Sequence, residues 1–539
     1  MIRKEPGKIS TKGIAYLDYV ATQIESKRVL FFVVFANMYL LVTALQAQRR
    51  LWYDELFTFY MCQLPSMSTV WSALKAGVDL NPPLLYVLTR ACQALFGNTE
   101  LVTRLPAILG FLVMCLCICR FVSRNGSLLA GMAAMCVPLV SGAYYYSSEA
   151  RAYGIELAFA SIAAVCWQSA ARDERRKITL PGLAVALAGA LLSHCYALMI
   201  LIPFVLAEGA RFVTRRKPDW PMLLSLAAPC AAVVSYLPLL AASRQVSMDN
   251  SILRPEWGSI ANSYSMIFQP AHWLIVAALV PIVAMRVSKE SNPEVLQPVH
   301  EVVLALGFVL TPVFAVVLAM TVAKVFQDRY GLAAIIGASI LIGHLAAKRA
   351  SRIVTAGILL LFMGAFVMNS VLWATDIALS KRSSRSGFKQ LLVLSDLDRQ
   401  LPIVITDPIL FLEFDHYESG DITNRLYFLT DPREEVRYIG TDLFSDAFYK
   451  LRKWFPIRSH VEDYEQFIST HERFSVLSLY DYPLDWALRK MVDDCVPLTF
   501  RGQFVLQRAN AILAEGWRPT AGAATGRTCV PAFTNHSSK

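Results

Sequence analysis

Up to about residue 375 the sequence is built from apolar runs of roughly 17–22 residues, each long enough to cross a hydrocarbon layer ~30 Å thick. Backbone polar groups inside a bilayer must be satisfied within their own segment, so such a chain folds as a bundle of spanning helices. The runs fall near 29–47, 105–122, 128–146, 153–171, 179–193, 195–210, 221–242, 271–287, 301–323, 331–347 and 353–375, about eleven spans. The fifth and sixth are short and flank Ser193-His194-Cys195-Tyr196, so length alone also permits one bent unit there. The first run is longer than the apolar core of a signal peptide and lacks a good cleavage pattern around 44–47, so it reads as an uncleaved helix.

Loop charge tests this count. The net charge is +10, but the basic residues sit in short clusters between apolar runs, at 172–177 and 211–217. That is how cytoplasmic loops of membrane proteins look, and it argues against nucleic acid as a partner. With segment 1–28 in the cytoplasm, roughly 21 Lys/Arg fall inside and about 10 outside, half of the latter in one long outer loop, 48–104. Merging the fifth and sixth spans would force 211–217 outside. The eleven-span arrangement is therefore preferred, and it places the C-terminal region outside the cytoplasm, in a multi-pass membrane protein.

The 11 cysteines include no Cys-x-x-Cys pair, and most, such as Cys115, Cys117 and Cys119, read as small apolar residues of spans. Cys62 with Cys92 and Cys495 with Cys529 lie on the oxidising side, and the sequence leaves both disulfides open. No His/Asp cluster resembles a metal site, so no cofactor is expected.

The expected fold is an all-α polytopic membrane domain, 29–375, followed by a small C-terminal α/β soluble domain, 376–515. In the first outer loop, 57–75 and 83–96 are amphipathic and suit helices lying in the membrane interface or packed on the bundle. After a polar stretch at 381–386, segments 401–407, 474–479 and 503–507 read as strands and 444–454 as a helix. No glycine-rich phosphate loop follows a strand. Residues 516–539 read as a loose tail.

The residues suited to chemistry begin with Leu51-Trp52-Tyr53-Asp54-Glu55, directly after the first span. Carboxylates beside aromatics at a membrane surface are costly unless solvated, paired or used, and one of them could take a proton from an attacking hydroxyl. An isolated Asp-Glu pair is also an ordinary helix start. It is followed here by Asn81-Pro82-Pro83, by Glu100 and Arg104-Leu105-Pro106 leading into a span, and by Glu149-Ala150-Arg151-Ala152-Tyr153 in the second outer loop.

That order and spacing resemble the polyprenol-phosphate-sugar-dependent C-type glycosyltransferases, in particular the bacterial group related to protein O-mannosyltransferases and to the lipid A aminoarabinose transferase. The specific motifs lie in 51–153, with weaker ones at 193–197 and 329–330. The resemblance implies transfer of one sugar, with inversion, from a polyprenyl-phosphate donor to a hydroxyl of a glycan, lipid or protein at the extracytoplasmic face. It implies Asp54 as catalytic base and Glu55 as an orienting carboxylate. Arg329 and Tyr330, with Lys324 nearby, would meet the lipid phosphate, a role that suits a guanidinium. Asn81, Arg104, Glu149, Arg151, Tyr153 and His194 would line the cavity. Family members often carry His-Tyr where this chain has His194-Cys195, which puts a direct role for His194 in question.

Two rivals share parts of this pattern. An oligosaccharide transferase or ligase using a lipid pyrophosphate shares the architecture, and some such enzymes use a divalent ion. A secondary transporter with an outer sensor domain would show repeats and mid-bilayer charges, which these spans largely lack.

Overall fold

The computed structural model describes residues 11–239, 241, 253–284, 298–394, 400–479, 485–506 and 509–519. Packing divides the chain into two compact units, one of residues 1–48, 81–240 and 255–374, the other of residues 49–80, 241–254 and 375–539.

The first unit is helical, and its long apolar helices make the protein an integral, multi-pass membrane protein. Among the described residues, seven helices are long and apolar enough to cross a bilayer: Arg28–Gln46, Glu100–Ser123, Tyr153–Ala171, Arg176–Ser193, Cys195–Arg215, Asp328–Arg349 and Arg352–Thr375. Three more candidates are bent pairs, Leu128–Val140 with Gly142–Ser148 (78°), Gly258–Phe268 with His272–Ile282 (78°), and Val299–Val309 with Thr311–Ala323 (50°). Pro138, Pro270 and Pro312 lie at these bends, where the missing N–H and the ring's clash interrupt the helical ladder. The run expected at 221–242 differs. It forms two short helices, Trp220–Ala227 and Cys230–Ser235, interrupted at Pro229, and together they fall short of a spanning length among the described residues. The fifth and sixth runs are separate helices broken at His194.

Small residues let two of these helices touch backbone to backbone. A Cβ added at Gly154 would sit 2.4 Å from the Ala107 carbonyl oxygen, and one at Gly110 would sit 2.4 Å from that of Gly154. This close crossing sets where Tyr153, the next residue, enters the bundle. Gly154→Val is expected to cost about 1–3 kcal/mol through forced separation of the helices, read as a lowered melting temperature of the purified protein. Unchanged melting would reject the close crossing.

The basic loops gather at one end of this unit. Arg124 pairs with Glu174, the Arg172 Nη2 lies 3.0 Å from Glu301, and the Arg176 Nη2 lies 2.5 Å from Asp219. Arg352, at the start of the last long helix of this unit, pairs with the N-terminal helix Thr11–Ser26 through Glu25 at 2.6 Å. Asp219 lies under three arginines, and their hydrogen bonds outweigh burial to hold its carboxyl well below the usual range.

The second unit is an α/β domain that also takes in residues 49–80, from the loop after the first span. Its strands are β1 (Ile403–Ile405), β2 (Leu426–Thr430), β3 (His460–Asp463), β4 (Arg473–Ser478), β5 (Leu498–Leu506) and β6 (Ala509–Trp517), in the order β3-β2-β1-β4-β6-β5. The first four are parallel, and β6 joins β4 antiparallel, with Val476 opposite Ala514. Parallel strands need helical crossovers, and the sequence supplies a stop at each one. Asp407, Asp431, Asp463 and Asp485 follow β1, β2, β3 and β4 and each accepts a backbone N–H of the next helix. Proline follows the first two at the helix start, where no N–H is needed.

Three sequence expectations change here. The stretch 381–386, read as a linker, continues the helix Arg352–Leu394. The amphipathic segment 57–75 is two helices, Tyr53–Gln63 and Met67–Lys75, parted at Leu64-Pro65. Residues 516 and 517, assigned to a loose tail, close β6, while 520–539 lie outside the described residues.

Candidate functional site

The sequence-selected residues fall into both units. In the helical unit, several meet at the end away from the basic loops. Tyr153 opens the helix whose other end reaches Ala171, about 27 Å away at helical rise. Arg329 and Tyr330 sit in the single turn Asp328–Gly331 before the helix Ala334–Arg349. His194 caps the break between Ser193 and Cys195, where its Nδ1 accepts the Tyr196 N–H at 3.3 Å.

These side chains form a continuous cluster. The Arg329 guanidinium carbon lies 5.7 Å from the Tyr153 ring centre. Tyr153 lies 5.4 Å from the His194 ring, and His194 lies 5.0 Å from Tyr330. Tyr330 stacks on Tyr196 at 4.4 Å. Glu149, 1% exposed, hydrogen-bonds through its carbonyl to the Arg151 N–H at 2.7 Å. Glu149, Arg151, Arg329 and Tyr330 all act electrostatically on the Tyr153 hydroxyl. Arg329 is thus held over an aromatic face, an arrangement worth about 0.5–1 kcal/mol when exposed and more when desolvated.

One residue of the cluster went unselected in the sequence. Glu156 is 7% exposed, and its Oε2 lies 3.7 Å from His194 Nδ1. That is beyond hydrogen-bond length. Nδ1 instead accepts the Tyr196 N–H. A carboxylate one turn into an apolar run was the available signal.

Other selected residues do different work. Arg104 is fully buried and its Nη1 donates to the Ala47 carbonyl at 2.6 Å, closing the end of the first span. Asn81 is buried at the start of the segment 81–240. Lys324 is exposed, has φ of 63°, and its Nζ donates to the Met320 carbonyl one turn back.

In the second unit, Asp54 and Glu55 lie in the first turn of Tyr53–Gln63. Glu55 is fully buried and its Oε2 accepts the Trp52 N–H at 3.3 Å, a capping bond. Asp54 is half-buried. The helix is anchored to the α/β domain: Tyr60 hydrogen-bonds with His416 Nδ1 at 2.8 Å, and Leu51 N–H donates to the Tyr417 hydroxyl at 2.6 Å. Burial, then the charges of Asp54, Glu435 and Asp407, push the Tyr53 phenol well above its usual range. Asp407 ends β1 and Glu435 follows β2, so Asp54 belongs with acids at the carboxyl ends of parallel strands, where such sheets take ligands. Burial raises the Asp407 carboxyl to about 6.

Cys62 and Cys92 are not joined by a disulfide. Cys495 is disulfide-bonded, and Cys529 lies outside the described residues. Among the described residues no group of three or more His, Cys, Asp or Glu could hold a metal ion.

Residues 80–237 match the family described as dolichyl-phosphate-mannose-protein mannosyltransferase. The chain superposes on a crystal structure of ArnT from Cupriavidus metallidurans bound to undecaprenyl phosphate, with a TM-score of 0.52 and 12% identity, over 90% of this chain and 97% of that one. The apo crystal structure of the same ArnT gives 0.52 and 13%, over 91% and 98%. The chain therefore shares the overall fold of that ArnT. No curated protein sequence matches the chain. The family-matched segment contains Asn81, Arg104, Glu149, Arg151, Tyr153 and His194, whereas Asp54, Glu55, Lys324, Arg329 and Tyr330 lie outside it. Roles for the latter rest on their chemistry.

Proposed function

We propose that the chain transfers one sugar from a polyprenyl-phosphate donor to an acceptor hydroxyl at the extracytoplasmic face of the membrane, with inversion. The observation that carries this reading is the Arg329–Tyr153–His194–Tyr330 cluster at the end of the helical unit away from its basic loops. A guanidinium fixed at a helix end suits a phosphate with a lipid tail. The similarity of fold to an ArnT bound to undecaprenyl phosphate supports the same donor class.

In the proposed step the acceptor oxygen bonds to the anomeric carbon as the bond from that carbon to the phosphate oxygen breaks. Asp54 is proposed to take the acceptor proton and Arg329 to answer the charge growing on the departing lipid phosphate, each role resting on that residue's own chemistry. A single displacement inverts the anomeric centre.

Orientation follows from the basic loops, which belong in the cytoplasm under the positive-inside rule. A reporter active only outside the cytoplasm is therefore expected to be active when fused after residue 380 and silent when fused near Arg215. The opposite pattern rejects the topology. For the reaction itself, purified protein given a panel of polyprenyl-phosphate sugars with candidate acceptors is expected to yield a product one sugar heavier, with release of free polyprenyl phosphate, by mass spectrometry. Turnover only with lipid pyrophosphates would reject the donor class.

A further inference from the structure

Helix Leu201–Arg215 and helix Trp220–Ala227 are joined by the four residues 216–219. Between them lies a groove of about 510 Å³ whose apolar wall includes Leu201, Val205, Phe212, Leu223, Leu226 and Cys230. Val205 is 59% exposed and Phe212 50%, so the wall opens to the outside of the unit.

The turn end of the groove is charged. Glu208 and Asp219 line it, and both are answered: the Arg211 Nη1 lies 2.9 Å from Glu208 and 2.8 Å from Asp219, while Arg176 and Arg215 also bind Asp219. Arg216 and Lys217 are left over, exposed and without an ion pair among the described residues. Trp220, 71% exposed, stands beside them, as aromatic residues do at the headgroup level of a bilayer. From Asp219 to Ala227 the helical rise is about 12 Å, a little under half the ~30 Å hydrocarbon thickness, and Cys230 lies just beyond the break at Pro229. The groove is thus an apolar channel of about one leaflet's depth, and the turn at its charged end carries Arg216 and Lys217 next to the lining residues Pro218 and Asp219.

We propose that this groove binds an anionic phospholipid, its phosphate against Arg216 and Lys217 and one acyl chain along Val205, Phe212, Leu223 and Cys230. A zwitterionic lipid would fit the channel equally well, so the two leftover cations supply the selectivity, each worth roughly fivefold toward an anionic headgroup.

Cys230 makes the site readable, because it lines the groove and is the one exposed free cysteine among the described residues. Full-length protein in mild detergent is treated with a maleimide, alone or with micelles containing phosphatidylglycerol or phosphatidylcholine, and a Cys230→Ser chain sets the background. Phosphatidylglycerol is expected to slow labelling of Cys230 at least tenfold more than phosphatidylcholine does. Arg216→Gln with Lys217→Gln, both at exposed positions, should bring the two lipids level. Leu223→Trp, which fills the channel and keeps the charges, should remove protection by either lipid. Native mass spectrometry of the same samples should show a retained glycerophospholipid that the double variant loses. The proposal is overturned if phosphatidylglycerol leaves the labelling rate unchanged, if both lipids protect equally, if the double variant keeps its preference, or if the retained lipid is a polyprenyl phosphate.

Discussion

Asp54→Asn is expected to remove most turnover, by 10²–10⁴, while leaving the fold and donor binding in place. The amide is nearly isosteric with the carboxylate but cannot accept the proton of the attacking hydroxyl. The structure makes this substitution a clean one. The bond that closes the helix start belongs to Glu55, which accepts the Trp52 N–H, and Asp54 is the half-buried neighbour. A negative charge in a first turn, where Asp54 stands, adds about 0.3–1 kcal/mol to stability. A role confined to the helix start would thus leave Asp54→Asn close to full activity. Glu55→Gln keeps an acceptor oxygen and is expected to be milder, with a stability loss on the order of 1 kcal/mol. Full activity in Asp54→Asn with a dead Glu55→Gln would move the base by one residue. Full activity in both would remove the mechanism.

The helical unit was legible because apolar run length is set by the bilayer, and that constraint acts on each segment alone. Where the reading slipped, proline and packing decided. Pro229 interrupts what looked like one run, and Pro65 splits what looked like one amphipathic helix. In the α/β domain, β1, β4 and β5 stood out as apolar runs, whereas β3 (His460–Asp463) carries an exposed His and two acids and reads as loop. It is an edge strand, paired only with β2, so one-sided burial of Val461 suffices. The Asp-Pro pairs at 407–408 and 431–432 were legible helix starts that went unused.

The site was legible in part, for a related reason. Residues 149–153 lie together in sequence and stay together in space, and motif spacing finds them. Arg329 and His194 reach the same cluster from distant turns, and only the resemblance to a family brought them in. Glu156 was passed over because a lone carboxylate in an apolar run has no sequence neighbour to give it meaning. The residue nearest its carboxylate in this cluster, His194 at 3.7 Å, comes from the next helix break. Arg104 has a contact that sequence spacing does not show: its guanidinium donates to the Ala47 carbonyl at the end of a neighbouring helix.

Arg329→Ala should lower donor binding and turnover together, by two to four orders of magnitude. Removing one partner of a desolvated, hydrogen-bonded charge pair costs on the order of 3–5 kcal/mol, much of it from leaving the phosphate charge unanswered. The position of the guanidinium over Tyr153, in a turn whose Tyr330 is clamped between His194 and Tyr196, fixes where that charge sits. Arg329→Lys should recover only part of the loss, because an ammonium keeps the charge but not the planar two-pronged fork. Lys324, whose ammonium is bound one turn back at the Met320 carbonyl, should not substitute for it. Tyr153→Phe keeps the aromatic face and should leave donor affinity within a few fold. Tyr153→Leu removes that face and should weaken donor binding roughly threefold to thirtyfold, the equivalent of about 0.5–2 kcal/mol. Binding of a fluorescent polyprenyl-phosphate sugar to each variant in detergent separates these cases. Wild-type affinity in Arg329→Ala would place the phosphate elsewhere, and equal losses in Tyr153→Phe and Tyr153→Leu would show that the phenol hydroxyl, not the ring, holds the arginine in place.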